Sequence, residues 1–212
     1  MPERDGWAMR GSMKGVKIFA GLIALMGWTA LLLQAWLLVG QMGLGEGLWR
    51  FLGYFTILTN IGVAVVASLL ALGHRGALTR ARARLVFTAA IIFVGAAYWA
   101  LLAGLWQPTG WQLVADIILH TLQPILFALL WWRMHDGNLR TRDAAAAMGW
   151  PLGYAGYALL RGANDDWYAY WFLDPEQQGL GGMSVSLLAL SFAFFLLAWG
   201  MSRLPPYARS PN

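Results

Sequence analysis

The stretch Leu85-Val86-Phe87-Thr88-Ala89-Ala90-Ile91-Ile92-Phe93-Val94-Gly95-Ala96-Ala97-Tyr98-Trp99-Ala100-Leu101-Leu102-Ala103-Gly104-Leu105-Trp106 holds no charged side chain. A bilayer core about 30 Å thick is crossed by roughly 20 apolar residues of α-helix. This stretch meets that requirement and reads as a transmembrane span. Runs of the same kind recur at about 16–40, 49–72, 111–132, 146–163 and 183–203, so six are expected. The first is too long for the apolar core of a cleavable signal peptide, and no small-residue cleavage site follows it. The fifth is short and rich in small residues.

Composition agrees. The chain has 212 residues, of which 59% are hydrophobic and only 12% charged, against about a quarter charged in a soluble domain. Six spans use most of the length, leaving a single all-α, polytopic membrane domain over residues 1–212 as the expected fold. There is no cysteine, which excludes disulfides, thiolate metal sites and cysteine nucleophiles.

The net charge of +5 follows membrane topology and does not point to nucleic acid. Arg4, Arg10, Lys14 and Lys17 precede the first span. Arg75, Arg80, Arg82 and Arg84 separate the second and third. Arg133, Arg140 and Arg142 separate the fourth and fifth, and Arg203 and Arg209 follow the sixth. Only Arg50 and Arg161 fall on the other side. The positive-inside rule makes the crowded side cytoplasmic, with both termini there. In a bacterium the expected site is the inner membrane. Trp49, Trp106, Trp111 and Trp167 fall near the outer boundary, where indoles prefer to lie.

Polar residues inside the spans are costly in hydrocarbon and so carry the most information. Asp116 and His120 on the fourth span are four apart and share a helix face. A carboxylate one turn away can hold an imidazole in one tautomer. Thr56 and Asn60 on the second span are also four apart, with Thr59 beside them. Counting inward from Trp49 and Trp111 puts Thr56 roughly 10 Å and His120 roughly 14 Å below the outer boundary. Asn60 and Gln123 read as inter-helix hydrogen bonders. Pro124 is expected to kink the fourth span and free a carbonyl. Gly149, Gly153 and Gly156 read as close helix packing.

Several chemistries are excluded. One intramembrane histidine cannot supply a bis-histidine haem. The chain has no HExxH motif and no carboxylate cluster, so neither a metal nor another cofactor is expected. No G-x-S-x-G elbow or phosphate loop is present.

The run Tyr54-Phe55-Thr56-Ile57-Leu58-Thr59-Asn60, the six spans, and His120 followed by Pro124 resemble the androgen-induced protein and androgen-dependent TFPI-regulating protein family. Leu160-Arg161-Gly162, with Trp167-Tyr168-Ala169-Tyr170-Trp171-Phe172-Leu173-Asp174, resembles its bacterial members. The resemblance implies a multi-pass hydrolase of lipid carboxylic esters, of the type formed by fatty acids with hydroxy fatty acids. It also implies a threonine nucleophile at Thr56 and a histidine base at His120. Thr59 offers a second threonine. Asp116 would orient the imidazole, and Asn60, Arg161, Tyr168, Tyr170 and Asp174 are candidate oxyanion or substrate contacts. The aromatic segment ending at Asp174, in the outer loop 164–182, would cap the site. The substrate would enter from the bilayer. The same polar cluster also fits a non-catalytic lipid binder or a transporter, although no internal repeat supports the latter.

Overall fold

The computed structural model describes the backbone of residues 3–207 and the side chains from residue 13 onward. The side chains of Arg4 and Arg10, and all of Arg209, lie outside that description. The described residues form nine α-helices and no strand. They are α1 (Glu3–Met42), α2 (Leu44–Leu52), α3 (Phe55–Ala71), α4 (Ala81–Ala97), α5 (Gly110–Ile117), α6 (Gln123–Arg133), α7 (Thr141–Ala147), α8 (Gly149–Asp165) and α9 (Pro175–Ser202). A π-helical turn, Tyr98–Leu102, extends α4, and a second, Ile118–Leu122, joins α5 to α6.

Four segments are long and apolar enough to cross a membrane: Met13–Met42, Ala81–Leu102, Gly110–Arg133 and Pro175–Ser202. Helices α2 and α3 make a fifth if counted as one bent span. The 17-residue α8 does not join them. Large apolar side chains such as Leu25 and Trp36 on α1 and Leu188 and Phe192 on α9 are exposed. Exposed apolar surface of this extent marks contact with lipid. The protein is an all-helical membrane protein.

Two expectations are corrected. The continuous span at 49–72 is broken, because α2 and α3 meet at 80°. Gly43, at φ +81°, turns the chain back at the end of α1. Gly47 then lies so close to α1 that a Cβ there would sit 2.7 Å from the Val39 Cα. Gly53 ends α2, and Tyr54 is extended (φ −91°, ψ 133°). Thr56 therefore stands at the start of α3, and the depth count from Trp49 along one helix does not apply. Likewise, Cβ atoms at Gly149, Gly153 and Gly156 would meet nothing within 4 Å. These glycines make no close packing contact.

The core is built from Val63 and Val66 of α3, Leu85 and Ile91 of α4, Phe127 and Leu130 of α6, and Phe194 of α9. At one end the basic connections are tied together. Arg82 pairs with Asp143 at 2.7 Å. Arg84 donates to the carbonyls of Thr79 and Met134. Arg203 donates to Thr141. At the opposite end, Trp49 donates to Asp165 at 2.6 Å, and Arg161 stacks 3.9 Å over the Trp49 ring.

Candidate active site

The break before α3 leaves the Leu52 and Gly53 carbonyls without helical partners. Tyr157 and Tyr154 of α8 donate their hydroxyls to them, at 3.2 and 3.0 Å. Only glycine fits at position 53, since a Cβ would lie 2.4 Å from the Trp167 ring and 2.8 Å from Arg161. Thr56 is then the second residue of α3, where the first backbone N–H groups have no intrahelical acceptor and the helix dipole is positive. The Thr56 N–H donates to the Tyr170 hydroxyl at 3.4 Å. Burial pushes the Tyr170 phenol above its ordinary value, with the Thr56 hydroxyl and N–H acting against that shift. Tyr170 thus stays a neutral O–H.

His120 sits inside the π-helical turn between α5 and α6. Such turns are rare and recur at functional sites. Pro124 has no N–H for the His120 carbonyl, and the wider turn accommodates the missing bond. Gly95 of α4 packs here, and a Cβ on it would be 3.0 Å from the His120 carbonyl oxygen and 3.2 Å from Pro124.

The imidazole is oriented from three directions. Its Nδ1 lies 3.1 Å from the Asp116 backbone carbonyl and 3.1 Å from the Asp116 carboxylate Oδ1. The carbonyl is aligned as the hydrogen-bond acceptor. Oδ1 is not, and acts on the ring through its charge. The Tyr98 ring stacks on the imidazole at 3.9 Å between centroids and 15° between planes. The Tyr98 hydroxyl donates to Asp116 Oδ2 at 2.6 Å. With Nδ1 engaged, Nε2 is the nitrogen left for exchange with a bound molecule.

Thr56 and His120 make no hydrogen bond to each other but face one cavity of about 480 Å³, together with Asp116, Tyr98 and Tyr170. Asn60 sets their spacing, because its Nδ2 donates to the Thr56 carbonyl at 2.9 Å and to the Leu119 carbonyl at 3.3 Å. Gln34, Gln41 and Gln112 line the same cavity, and Gln112 donates to Gln34 at 2.7 Å. A second, apolar cavity of about 80 Å³ is also lined by Thr56.

The remaining candidates lie elsewhere. Thr59 is fully buried and accepts from the Trp150 indole at 3.0 Å. Arg161 is caged by Trp49, Trp167 and Tyr157 at the end opposite the basic connections. Tyr168 packs over Gly162. Asp174 caps α9, accepting from the Glu176 and Gln177 N–H groups. None of these four lines either cavity. Gln123 is buried with both amide atoms unpartnered and so does not tie helices together. Among the described residues, no three His, Asp or Glu side chains converge as metal ligands would. Sequence reasoning missed Tyr98 and the three glutamines. Tyr98 gives only a faint signal, a phenol inside an apolar run one turn after Gly95.

Fold and site together define a helical membrane protein in which an oriented histidine on a candidate span and a threonine line one cavity. Comparison with protein-family models, curated proteins and solved structures finds no match to this chain.

Proposed function

We propose that the protein is an intramembrane hydrolase of a lipid carboxylic ester, with Thr56 as nucleophile and His120 as base. The observation that carries this reading is the shared cavity of Thr56 and His120, with His120 Nδ1 held by Asp116. A threonine hydroxyl is a weak nucleophile until a base takes its proton during attack. His120 Nε2 accepts that proton as Thr56 Oγ1 bonds to the ester carbon, then passes it to the departing alkoxide. Water attacks the acyl-threonine in the same way and restores both groups. The first N–H groups of α3 and the Tyr170 hydroxyl stabilise the oxyanion. Asp116 holds the ring and balances its transient positive charge.

The resemblance to the androgen-induced protein family supports the same assignment, and with it an ester of a fatty acid and a hydroxy fatty acid entering from the bilayer. The topology that goes with this reading has six crossings, α8 supplying the fifth at about 146–163. Both termini are cytoplasmic, in a bacterial inner membrane.

A fluorophosphonate probe is expected to label the purified protein. Thr56→Ala and His120→Ala should each abolish labelling and lower ester turnover by at least about 100-fold. Labelling and turnover that persist in both variants refute the mechanism. Ester binding without any turnover would leave a lipid-binding protein.

A further inference from the structure

The two cavities meet at Thr56, Tyr98, Leu102 and Tyr170, and only the larger one contains His120. An ester has two arms on its carbonyl carbon, and the chemistry distinguishes them. The alcohol oxygen must receive a proton from His120 when its bond to the carbonyl carbon breaks. The acyl arm must stay attached to Thr56 Oγ1 until water replaces it. On the hydrolase reading above, but departing from the hydroxy fatty acid that the resemblance implies as the alcohol, we infer that the alcohol arm occupies the large cavity and the acyl arm the small one, and that the alcohol is neutral and hydroxyl-bearing.

The linings fit that division. The small cavity is walled by Phe93, Pro151, Ala155, Phe172, Leu187 and Leu190. At about 80 Å³ it takes only the first carbons of a chain. The large cavity presents the amides of Gln34, Gln41 and Gln112, which donate to and accept from hydroxyls. No Lys or Arg is among its lining residues, and Asp116 is. A carboxylate on the alcohol arm would meet a like charge there with no cation to offset it. When the alcohol leaves, the polar cavity it vacates is the route for the hydrolytic water. That water gives one proton to His120, which returns it to Thr56 Oγ1 as the acid departs.

The test uses the full-length protein in detergent with glycerol monoesters of acetate, butyrate and octanoate, and with ethyl and glycolate esters of butyrate. Ala155→Phe fills the small cavity. It should raise the acetate-to-octanoate ratio of kcat/KM by about tenfold or more without changing the preference among alcohols. Gln112→Leu should lower the glycerol-to-ethyl ratio by about tenfold and leave the acyl profile as it was. Both are ratios within one variant, so a general loss of folded protein cancels. An even loss across acyl lengths in Ala155→Phe overturns the assignment of arms, as does a shift in its alcohol preference. Glycolate esters cleaved as well as glycerol esters overturn the neutral alcohol. If the unaltered protein cleaves no ester at all, the hydrolase reading itself fails, a result that probe labelling at Thr56 reports separately.

Discussion

Tyr98 is the residue whose role is most sharply drawn, because it touches both partners of the histidine arrangement. Its ring stacks on His120 and its hydroxyl reaches Asp116. Tyr98→Phe keeps the stack and removes the hydrogen bond, leaving the buried Asp116 carboxylate short of a donor. A hydrogen bond to a charged group is worth about 1.5–3 kcal/mol, so kcat should fall by about tenfold to 100-fold with KM nearly unmoved. Steady-state kinetics on one ester decide this. A change in KM alone would show that Tyr98 contacts substrate and does not position His120. Asn60 was legible as a helix-joining amide. The resemblance favoured Thr56 over Thr59, but nothing in the sequence told their surroundings apart. What separates their surroundings is the rotation of α3, which turns Thr59 to the Trp150 indole and Thr56 to the cavities.

At the scale of elements, two departures from regular helix shape the site: the break between α2 and α3, and the π turn that carries His120. The π turn depends on Gly95 as well as on Pro124, since α4 passes within contact distance of the His120 carbonyl. Gly95→Val introduces branched bulk at that contact. It should cost about 1–3 kcal/mol of stability, as overpacking does, and reduce turnover by more than the loss of folded protein explains. Thermal melts beside kinetics at a temperature where the variant is fully folded will separate the two effects. Pro124 signalled a distortion in the sequence. That it takes the form of a π turn came from how α4 packs against it. The break at Gly53 gave no comparable signal, because its cause lies in Trp167 and Arg161, more than 100 positions away.

For the whole molecule, the basic end and the opposite end are held by different contacts. Asp143 is buried, which alone would raise its carboxyl. The Arg140 backbone N–H and the Arg82 guanidinium outweigh burial and hold it below the usual carboxylate range. A carboxyl lowered in the fold stabilises at pH above its unfolded value and loses that contribution as pH falls through the folded one. Stability should therefore drop on acidification below about pH 4, and Asp143→Asn should flatten that limb. Arg82 is 57% exposed, so the effect should stay below about 1 kcal/mol; melting temperatures across an acid series measure it. The chain has no cysteine, so single cysteines report topology cleanly. Gln178→Cys should react with a membrane-impermeant maleimide in intact cells, and Asn138→Cys only after lysis. The reverse pattern would invert the proposed orientation.

Length and composition of the apolar runs determined that this is a helical membrane protein. Such runs act on the solvent locally, residue by residue, and need no partner to be read. The clustering of Arg and Lys between alternate runs, and the i, i+4 pairing of Asp116 with His120, were equally local. The tertiary structure alone decided which polar side chains share a cavity. It put Tyr98 on the imidazole and sent Arg161, Tyr168 and Asp174 to other duties. It also bent the second run at Gly53. Those outcomes depend on how each helix is rotated and where its backbone departs from regularity, and both are set by packing between residues far apart in the chain.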